Sequence, residues 1–208
     1  MKTDEIVFIK KIENNSKKYD IETSFHNYFA NGILVHNCSA TYYYKKGIFR
    51  DFFGIYSREL KKKEDDNSNW SKIAIKYNLK KQLKSYGETL WIQGEIAGPG
   101  IQKNRCKLKE LELFVFNVYN VKQHRYLDPV EMGLVCTFLG LKTVPVVNHV
   151  ISLKDTTIDK LVEMSKGSYE SGPDDLREGI VIRELNDFSL NRISFKVISP
   201  DYLLKYNI

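Results

Sequence analysis

Cysteine is scarce in this chain of 208 residues, and the cysteines that are present form no pattern. Cys38, Cys106 and Cys136 are odd in number and lie far apart in the sequence. A disulfide framework or a structural zinc site needs several cysteines at short or regular spacings, so neither is indicated. We therefore expect a protein of a reducing, cytoplasmic compartment.

Long apolar runs are absent as well. No stretch approaches the ~20 residues that span a bilayer as a helix. The first residues, MKTDEIVFIKKI, lack the apolar core and the small-residue cleavage site of a signal peptide. No internal repeat is visible either. The sequence thus predicts no membrane partner, and its 42% apolar content is enough for one ordinary domain with a small appendage.

A net charge is missing from the first 37 residues, where five lysines balance five acidic residues. The whole net charge of +6 therefore lies in residues 38–208. A basic domain in a chain of pI near 9.0 is compatible with a polyanionic partner such as nucleic acid. Many basic proteins bind no nucleic acid, so the charge alone does not identify the partner.

The pattern of apolar residues predicts a mixture of strands and helices. Helices are predicted over 71–86, over 128–140 with a capping box between Asp128 and Glu131, and over 156–166. In the first helix, Ile75, Leu79 and Leu83 would share one face with Tyr86. Strands are predicted at IVFIKKI, KYDIET, ILVHN, TYYYKKG, TLWIQGEI, LELFVFNVY, VPVVNHVISL, GIVIRE and NRISFKVIS.

The tripeptide His36-Asn37-Cys38 has a specific chemical capability. The side-chain amide of Asn37 can attack its own carbonyl carbon, close a succinimide and cut the peptide bond that follows. The imidazole of His36 is placed to polarise groups at that bond. Cys38 can act as a thiolate nucleophile and accept an acyl group from an upstream thioester. As an isolated tripeptide, however, this sequence is more often an ordinary strand end.

The surrounding run, residues 19–38, resembles the two C-terminal blocks of inteins. YDIET with HNYFA resembles the block that carries an Asp and a His, and NGILVHN followed by cysteine resembles the terminal splicing block. The resemblance implies that Asp20 and His26 assist, that His36 is the penultimate histidine, that Asn37 cyclises, and that Cys38 is the first residue of the spliced product.

Residues 1–37 lack the N-terminal block, with its Cys or Ser nucleophile, that a complete intein carries. Naturally split inteins divide just upstream of this point. The resemblance therefore implies that residues 1–37 are an all-β, HINT-type C-terminal intein fragment, whose partner is an upstream N-intein polypeptide. An artificial truncation is the alternative that the sequence leaves open.

Six motifs follow the junction in a fixed order: CSATYYY (38–44), GIYSREL (54–60), WIQGEIAGPGIQKN (91–104), LFVFNVYN (113–120), REGIVIR (177–183) and SFKVIS (194–199). In this order they resemble the covalent nucleotidyltransferases, and most closely the ATP-dependent RNA ligases of the deinococcal and bacteriophage type. The family's first motif is Lys-x-Asp-Gly followed by a small residue, Ser-Ala-Thr and aromatic residues. Only its tail is present here, so the resemblance implies that the catalytic lysine belongs to the upstream partner.

The resemblance also implies a fold and a set of site residues for 38–208. The fold class is α+β, an adenylyltransferase domain of antiparallel sheets flanked by helices. ATP is the implied nucleotide, with Mg²⁺ or Mn²⁺ as the metal. Glu95 would contact the ribose, Phe116 (or Phe114) would stack on adenine, Glu178 would hold the metal, Lys196 would reach the α-phosphate, and Arg58 and Lys205 would contact phosphate or RNA.

The implied function is that of the C-terminal half of a trans-spliced RNA ligase, which is inactive as a ligase alone. The joined enzyme would seal RNA 3′-hydroxyl and 5′-phosphate ends through a lysyl-AMP intermediate, in the cytoplasm and from a gene that could belong to a phage. Two alternatives stay open. One is a DNA ligase or capping-type nucleotidyltransferase with the same machinery, and the other is an inactive, nucleic-acid-binding relic of a ligase.

Overall fold

A computed structural model describes most of the chain. The described residues are 27–30, 33–36, 39–47, 49–57, 60–64, 67–148, 150–169, 175–185, 187–190 and 192–206, with the side chains of 27–36 and of Gln102 excepted. Of the two predicted domains, residues 1–26 of the first therefore lie outside the described part.

Strands and helices alternate irregularly along the chain. The strands are β1 Asn27–Ala30, β2 Ile33–His36, β3 Ser39–Lys45, β4 Phe52–Ser57, β5 Lys61–Lys62, β6 Leu90–Ala97, β7 Glu112–Asn120, β8 Arg125–Tyr126, β9 Lys142–Thr143, β10 Gly179–Arg183 and β11 Ser194–Ile198. The helices are α1 Asn69–Lys76, α2 Leu79–Tyr86, α3 Pro129–Leu139, α4 Ile158–Ser165 and α5 Pro200–Tyr206, and short 3-10 turns occur at Gln102–Asn104 and Leu153–Asp155.

The largest element is a seven-stranded sheet of order β5-β4-β3-β6-β7-β8, in which β9 pairs with β7. All neighbouring strands are antiparallel except β9, which runs parallel to β7. Buried and half-buried residues alternate along β6 because successive side chains of a strand point to opposite faces. One face of this sheet therefore builds the core, and the opposite face remains accessible for a site.

The core lies between this sheet and three helices. Tyr42 and Ile92 from the sheet are fully buried, as are Ile73 of α1 and Leu83 of α2, while Leu139 of α3 is almost fully buried. Each fully buried Leu or Ile side chain stabilises the fold by roughly 1.5–3 kcal/mol through the apolar surface it removes from water. This packing makes the sheet a rigid support for side chains on its other face.

A second, two-stranded sheet is formed by β10 and β11, which pair antiparallel. Helix α4 packs against both strands, and α5 follows β11 directly. The register places Val181 opposite Lys196 and Arg183 opposite Ser194. Because alternate residues share a face, Val181, Arg183 and Lys196 lie on the same face of this hairpin.

The predicted helix over 71–86 is in fact two helices. Asn78 adopts the left-handed conformation, with φ 47° and ψ 41°, so that α1 ends at Lys76 and α2 begins at Leu79. This conformation is tolerated by Asn better than by most residues. The break shifts the helical phase, which buries Leu79 and Leu83 but leaves Ile75 70% exposed. The prediction of a continuous apolar face that includes Ile75 was therefore wrong.

The other two helix predictions are confirmed. Helix α3 starts at Pro129 with the expected capping box between Asp128 and Glu131, and it ends at Gly140 in the left-handed conformation. Helix α4 begins after Thr157, whose side chain accepts a hydrogen bond from the backbone N–H of Lys160.

One predicted strand is absent from the described residues, and strand β4 and helix α5 were not predicted. The described residues of VPVVNHVISL form no strand: the backbone N–H of Val144 still donates to the carbonyl of Val115 in β7 at 2.9 Å, but Val146 and Val147 are 61% and 52% exposed. Conversely, β4 was not predicted as a strand although it pairs with β3 over six residues. Helix α5, only seven residues long, was also missed.

The N-terminal region is described only as a hairpin. Strands β1 and β2 pair antiparallel, with Tyr28 opposite Val35 and Asn27 opposite His36. The predicted strands IVFIKKI and KYDIET lie outside the described residues, and the hairpin by itself does not define a HINT domain. Within the described part, no helix has the length and apolarity needed to span a membrane.

Candidate functional site

Glu95 lies on the sheet face opposite the core, near the end of β6. Its neighbours Gly94 and Ile96 point into the core, so the Glu95 side chain is half-buried on the accessible face. The hydroxyl of Ser39 donates a hydrogen bond of 2.7 Å to Oε1 of Glu95, and the two residues are paired across β3 and β6. The first residue of β3 therefore lies beside the predicted ribose-binding carboxylate.

Phe116 sits at an irregularity in the β6–β7 ladder. Gln93 pairs with Asn117 and Gly94 pairs with Val115, so Phe116 has no partner across the ladder. Such a β-bulge redirects a side chain and is common next to active sites. The Phe116 ring is half-buried.

Gly94 allows β6 and β7 to approach closely at this bulge. A Cβ atom at Gly94 would lie 2.7 Å from the carbonyl oxygen of Phe114. Phe114 is paired with Glu95, so its ring also belongs to the accessible face. Both Phe114 and Phe116 thus remain candidates for stacking on a base.

Glu178 and Lys196 form an ion pair at the other sheet. Glu178 directly precedes β10, and Lys196 is the central residue of β11. The ammonium group of Lys196 donates a hydrogen bond to Oε1 of Glu178, and the two side chains are only 22% and 16% exposed. The backbone is fixed by a hydrogen bond of 2.8 Å from the N–H of Ser199 to the carbonyl of Glu178. Glu178 and Lys196, which were predicted to serve the metal and the α-phosphate of the nucleotide, thus lie in contact.

Arg183 connects the two sheets. Its Nη1 donates a hydrogen bond of 2.6 Å to the carbonyl oxygen of Phe116, and its guanidinium lies 5.5 Å from the centroid of the Phe116 ring. The hairpin face that carries Lys196 and Val181 is therefore turned towards the bulge of β7. Burial, and secondarily the positive charge of Arg192, lowers the pKa of Arg183 to about 10.

Arg192 makes the neighbouring contacts. Its Nη2 donates a hydrogen bond to Oδ1 of Asn117, and its guanidinium lies 4.0 Å from the centroid of the Tyr126 ring. Asn117 in turn donates through Nδ2 to Oε1 of Gln93 at 3.2 Å. Burial lowers the pKa of Arg192 as well. Arg183 and Arg192 thus contact Phe116 and Asn117, two adjacent residues at the bulge of β7.

Of the other predicted site residues, only Lys205 has a described side chain. Lys205 is exposed on α5, outside both sheets, with its Nζ 5.9 Å from the centroid of the Tyr206 ring. His36 is the last residue of β2, and its side chain is not described. Asp20, His26, Asn37, Cys38 and Arg58 lie outside the described residues.

Glu178, the predicted metal ligand, has few other metal-binding side chains near it in the described part of the chain. Among the described residues, no three His, Cys, Asp or Glu side chains converge as a metal cluster. A site with one carboxylate fits Mg²⁺ or Mn²⁺ because such ions keep several waters and share substrate phosphates instead of using an all-protein cage. Glu178 therefore suits a metal that binds together with a nucleotide.

Several residues of the site were missed by sequence reasoning. Val181 and Arg183 could have been found, since alternation along GIVIR places them on one face, two residues apart. Ser39 could be assigned only from the β3–β6 register. Arg192 lies in the loop before β11, and no sequence pattern indicates its contact with Asn117.

Comparison with known proteins gives a consistent result. A family model described as RNA ligase matches residues 34–198. The solved structure "Naegleria gruberi RNA ligase with PPi" matches at 27% identity with a TM-score of 0.69, covering 81% of this chain and 49% of that chain.

Mutants of the same Naegleria gruberi ligase also match. One solved with ATP and Mn has 27% identity and a TM-score of 0.70, covering 82% of this chain and 49% of that one. Another, with AMP and Mn, has 27% identity and a TM-score of 0.69 over the same shares. A comparison with curated proteins finds no match. The chain spans about half the length of the ligase it resembles. Because the family model covers well over half of its residues, the chain belongs to the RNA ligase family.

Proposed function

We propose that residues 38–208 are the C-terminal part of an ATP-dependent RNA ligase, and that residues 1–37 are the intein fragment that joins it to an upstream half. The upstream half carries the catalytic lysine. The relatives solved with ATP, AMP and Mn support the choice of ATP and a divalent metal for this chain.

The observation that carries the proposal is the hydrogen bond between Ser39 and Glu95. It sets the start of β3 against the carboxylate assigned to the ribose, so any segment joined to Cys38 enters the fold at the nucleotide site. In the sequence Lys-x-Asp-Gly-Cys38, the lysine precedes Ser39 by only five residues, a reach of at most ~17 Å. The lysine thus needs no long linker to reach the site.

The described residues divide the work of adenylation between the two sheets. Phe116 offers a ring for the adenine, Glu95 an acceptor for ribose hydroxyls, and Lys196 a positive charge for the α-phosphate. A divalent metal held by Glu178 would offset the charge of the ATP phosphates. The upstream lysine attacks the α-phosphorus, a phosphoramide bond forms, and pyrophosphate leaves.

Sealing follows on the same surface. The AMP is transferred from the lysine to the RNA 5′-phosphate, and the RNA 3′-hydroxyl then attacks that phosphate and displaces AMP. Lys196 and Glu178 serve both transfers because each passes through additional negative charge on phosphate oxygens.

Joining of the two halves is assigned to the junction. The Cys38 thiolate takes the upstream segment from its thioester, Asn37 cyclises and cuts the bond that follows it, and the new thioester rearranges to a peptide bond. His36 assists at the scissile amide. Residues 1–37 then leave with a C-terminal succinimide.

The test has two arms. First, the purified chain with labelled ATP and Mg²⁺ or Mn²⁺ is expected to form no covalent AMP adduct, since it lacks the motif lysine. A stable adduct would place the nucleophile on this chain and contradict the proposal.

In the second arm, the chain is mixed with the upstream fragment encoded by a neighbouring reading frame. Mass spectrometry should show release of residues 1–37 and a spliced product that seals end-labelled RNA. Asn37→Ala should block release, and Cys38→Ala should block joining. Spliced product that binds RNA but never becomes adenylated would favour the inactive, nucleic-acid-binding relic instead.

A further inference from the structure

Arg183 and Arg192 form a pair of like charges that the nucleotide chemistry above does not use. They contact Phe116 and Asn117, which are adjacent residues at the bulge of β7. Both are partly buried, and within the described part of the chain neither makes an ion pair with a carboxylate. Asp187 attracts Arg192 electrostatically, while the two arginines repel each other. Two neighbouring cations in partly buried positions, with only Asp187 to offset one of them, are costly unless a ligand supplies further negative charge.

The two guanidinium planes are held in place by other contacts. The Phe116 ring and carbonyl oxygen fix Arg183, whereas the Tyr126 ring and the Asn117 amide fix Arg192. These contacts use one N–H donor of each group, and a guanidinium carries five. A planar fork with spare donors matches the geometry of phosphate oxygens.

The positions of Arg183 and Arg192 determine which phosphate group they can bind. Arg183 lies opposite Ser194, two residues beyond the pair of Val181 and Lys196, which is ~7 Å along the strand. It is five residues, ~16 Å, from Glu178 at the other end of β10. A nucleotide with its base at Phe116 and its α-phosphate at Lys196 directs its phosphates away from the arginines. Their phosphate must therefore come from another molecule.

We infer that Arg183 and Arg192 form a binding site for a backbone phosphate of the RNA substrate, on the base side of the nucleotide site. This inference rests on the proposed function and deepens it. It assigns a path to the RNA, across the bulge of β7 and over the β10–β11 hairpin.

The experiment measures RNA binding by the full chain, which needs neither splicing nor the upstream lysine. The probe is a fluorescein-labelled, single-stranded 12-nucleotide RNA with a 3′-hydroxyl, titrated by fluorescence anisotropy at several KCl concentrations. Binding of ATP with Mn²⁺ is measured separately by calorimetry. The variants are Arg183→Gln, Arg192→Gln and Arg192→Lys. Arg125→Gln is the matched control, because Arg125 is already paired with Glu131 at 2.6 Å.

Arg183→Gln and Arg192→Gln should each weaken RNA binding about 5- to 10-fold and lower the slope of log K against log salt by ~0.7, the value for one lost phosphate contact on a single strand. Arg192→Lys should lose affinity but keep the slope, since the charge remains and the fork is lost. The affinity for ATP should not change in Arg192→Gln, because Arg192 contacts Asn117 and Tyr126 and not the Phe116 ring proposed to stack on adenine. The control should keep both affinity and slope.

Three outcomes would overturn the inference. Salt slopes equal to the control would show that the arginines serve only packing. A loss of ATP affinity with unchanged RNA affinity would assign the site to the nucleotide's own phosphates. A wild-type chain that binds ATP but no RNA would remove the RNA part of the proposed function as well, whereas unchanged slopes alone leave that function standing. Thermal melting by circular dichroism identifies any variant that fails to fold. If a glutamine variant does not fold, the RNA affinity and salt slope of Arg192→Lys are compared with those of the wild type instead.

Discussion

The ion pair between Glu178 and Lys196 makes a prediction that separates stability from binding. The two side chains are 16% and 22% exposed, so they are largely removed from water. Removing one partner of a fully buried pair costs about 3–5 kcal/mol, because the other charge is left uncompensated. With this residual exposure we expect about 2 kcal/mol for Glu178→Gln, equivalent to a fall in Tm of ~4–8 °C for a chain of this size.

Lys196→Met should cost less, because a buried carboxylate can recruit a cation from solution. We therefore expect Lys196→Met to bind Mn²⁺ more tightly than the wild type in the absence of nucleotide, since the ammonium group of Lys196 no longer competes with the metal for Glu178. The same variant should bind ATP at least 10-fold more weakly, because it lacks the charge for the α-phosphate. On the proposed function, wild-type Glu178 would hold a metal once Lys196 has exchanged its contact with Glu178 for one with the α-phosphate.

The assay is a double-mutant cycle of Glu178→Gln and Lys196→Met, followed by urea unfolding, together with calorimetry of Mn²⁺ and of ATP. The coupling free energy between the two residues should exceed ~1 kcal/mol. A coupling within ~0.3 kcal/mol of zero would refute the stabilising pair. Weaker Mn²⁺ binding by Lys196→Met would refute the competition between lysine and metal.

Three further predictions concern the bulge and the helix cap. Phe116→Ala should weaken ATP binding by about 1–3 kcal/mol in calorimetry, as loss of a stacked base does, and Phe116→Trp should restore the binding. If Phe114→Ala weakens ATP binding by this amount and Phe116→Ala does not, the stacking role belongs to Phe114. Gly94→Ala should lower the free energy of unfolding by about 1–3 kcal/mol in urea, because its Cβ would lie 2.7 Å from a carbonyl oxygen; unchanged stability would disprove the close approach. Arg125 lowers the pKa of Glu131 to about 2 in the folded protein. Ionised Glu131, through its ion pair and helix cap, therefore contributes its full stabilisation above pH ~4.3, and this contribution is lost as the pH falls towards 2. In Glu131→Gln, stability at pH 7 should fall by about 1 kcal/mol, and thermal melts should show a smaller decline across that acid range than the wild type.

The parts of the fold that follow from local pattern could be predicted from sequence. The alternation in LWIQGEIA places Glu95 opposite the core, and the structure agrees. The capping box at Asp128 predicts where α3 begins, because its hydrogen bonds are local. The break at Asn78 could not be predicted, since its left-handed conformation depends on how two short helices pack against the sheet. The run VPVVNHVISL has strand-like composition, but a strand also needs a neighbour, which composition does not reveal.

The candidate site shows the same division. The order of the motifs supplied Glu95, Phe116, Glu178 and Lys196 as individual residues. Their relative placement required the register of two sheets, which no single segment encodes. The contacts of Arg183 and Arg192 join residues 67 and 75 positions apart in the sequence, and contacts of that range are not visible in local periodicity.

The bulge at Phe116 has a consequence for how the protein could change over generations. Val115 and Val118 are both fully buried, although a spacing of three residues would put them on opposite faces of a regular strand. The extra residue reconciles their spacing, so a chain lacking Phe116 could close the ladder between β6 and β7 without disturbing the core. The core packing would survive without this residue, whereas the contact with Arg183 that joins the two sheets would be lost. On the proposed function, a lineage that stopped using the nucleotide would lose the ligand-related reason for keeping the bulge, and only the contact with Arg183 would still favour it.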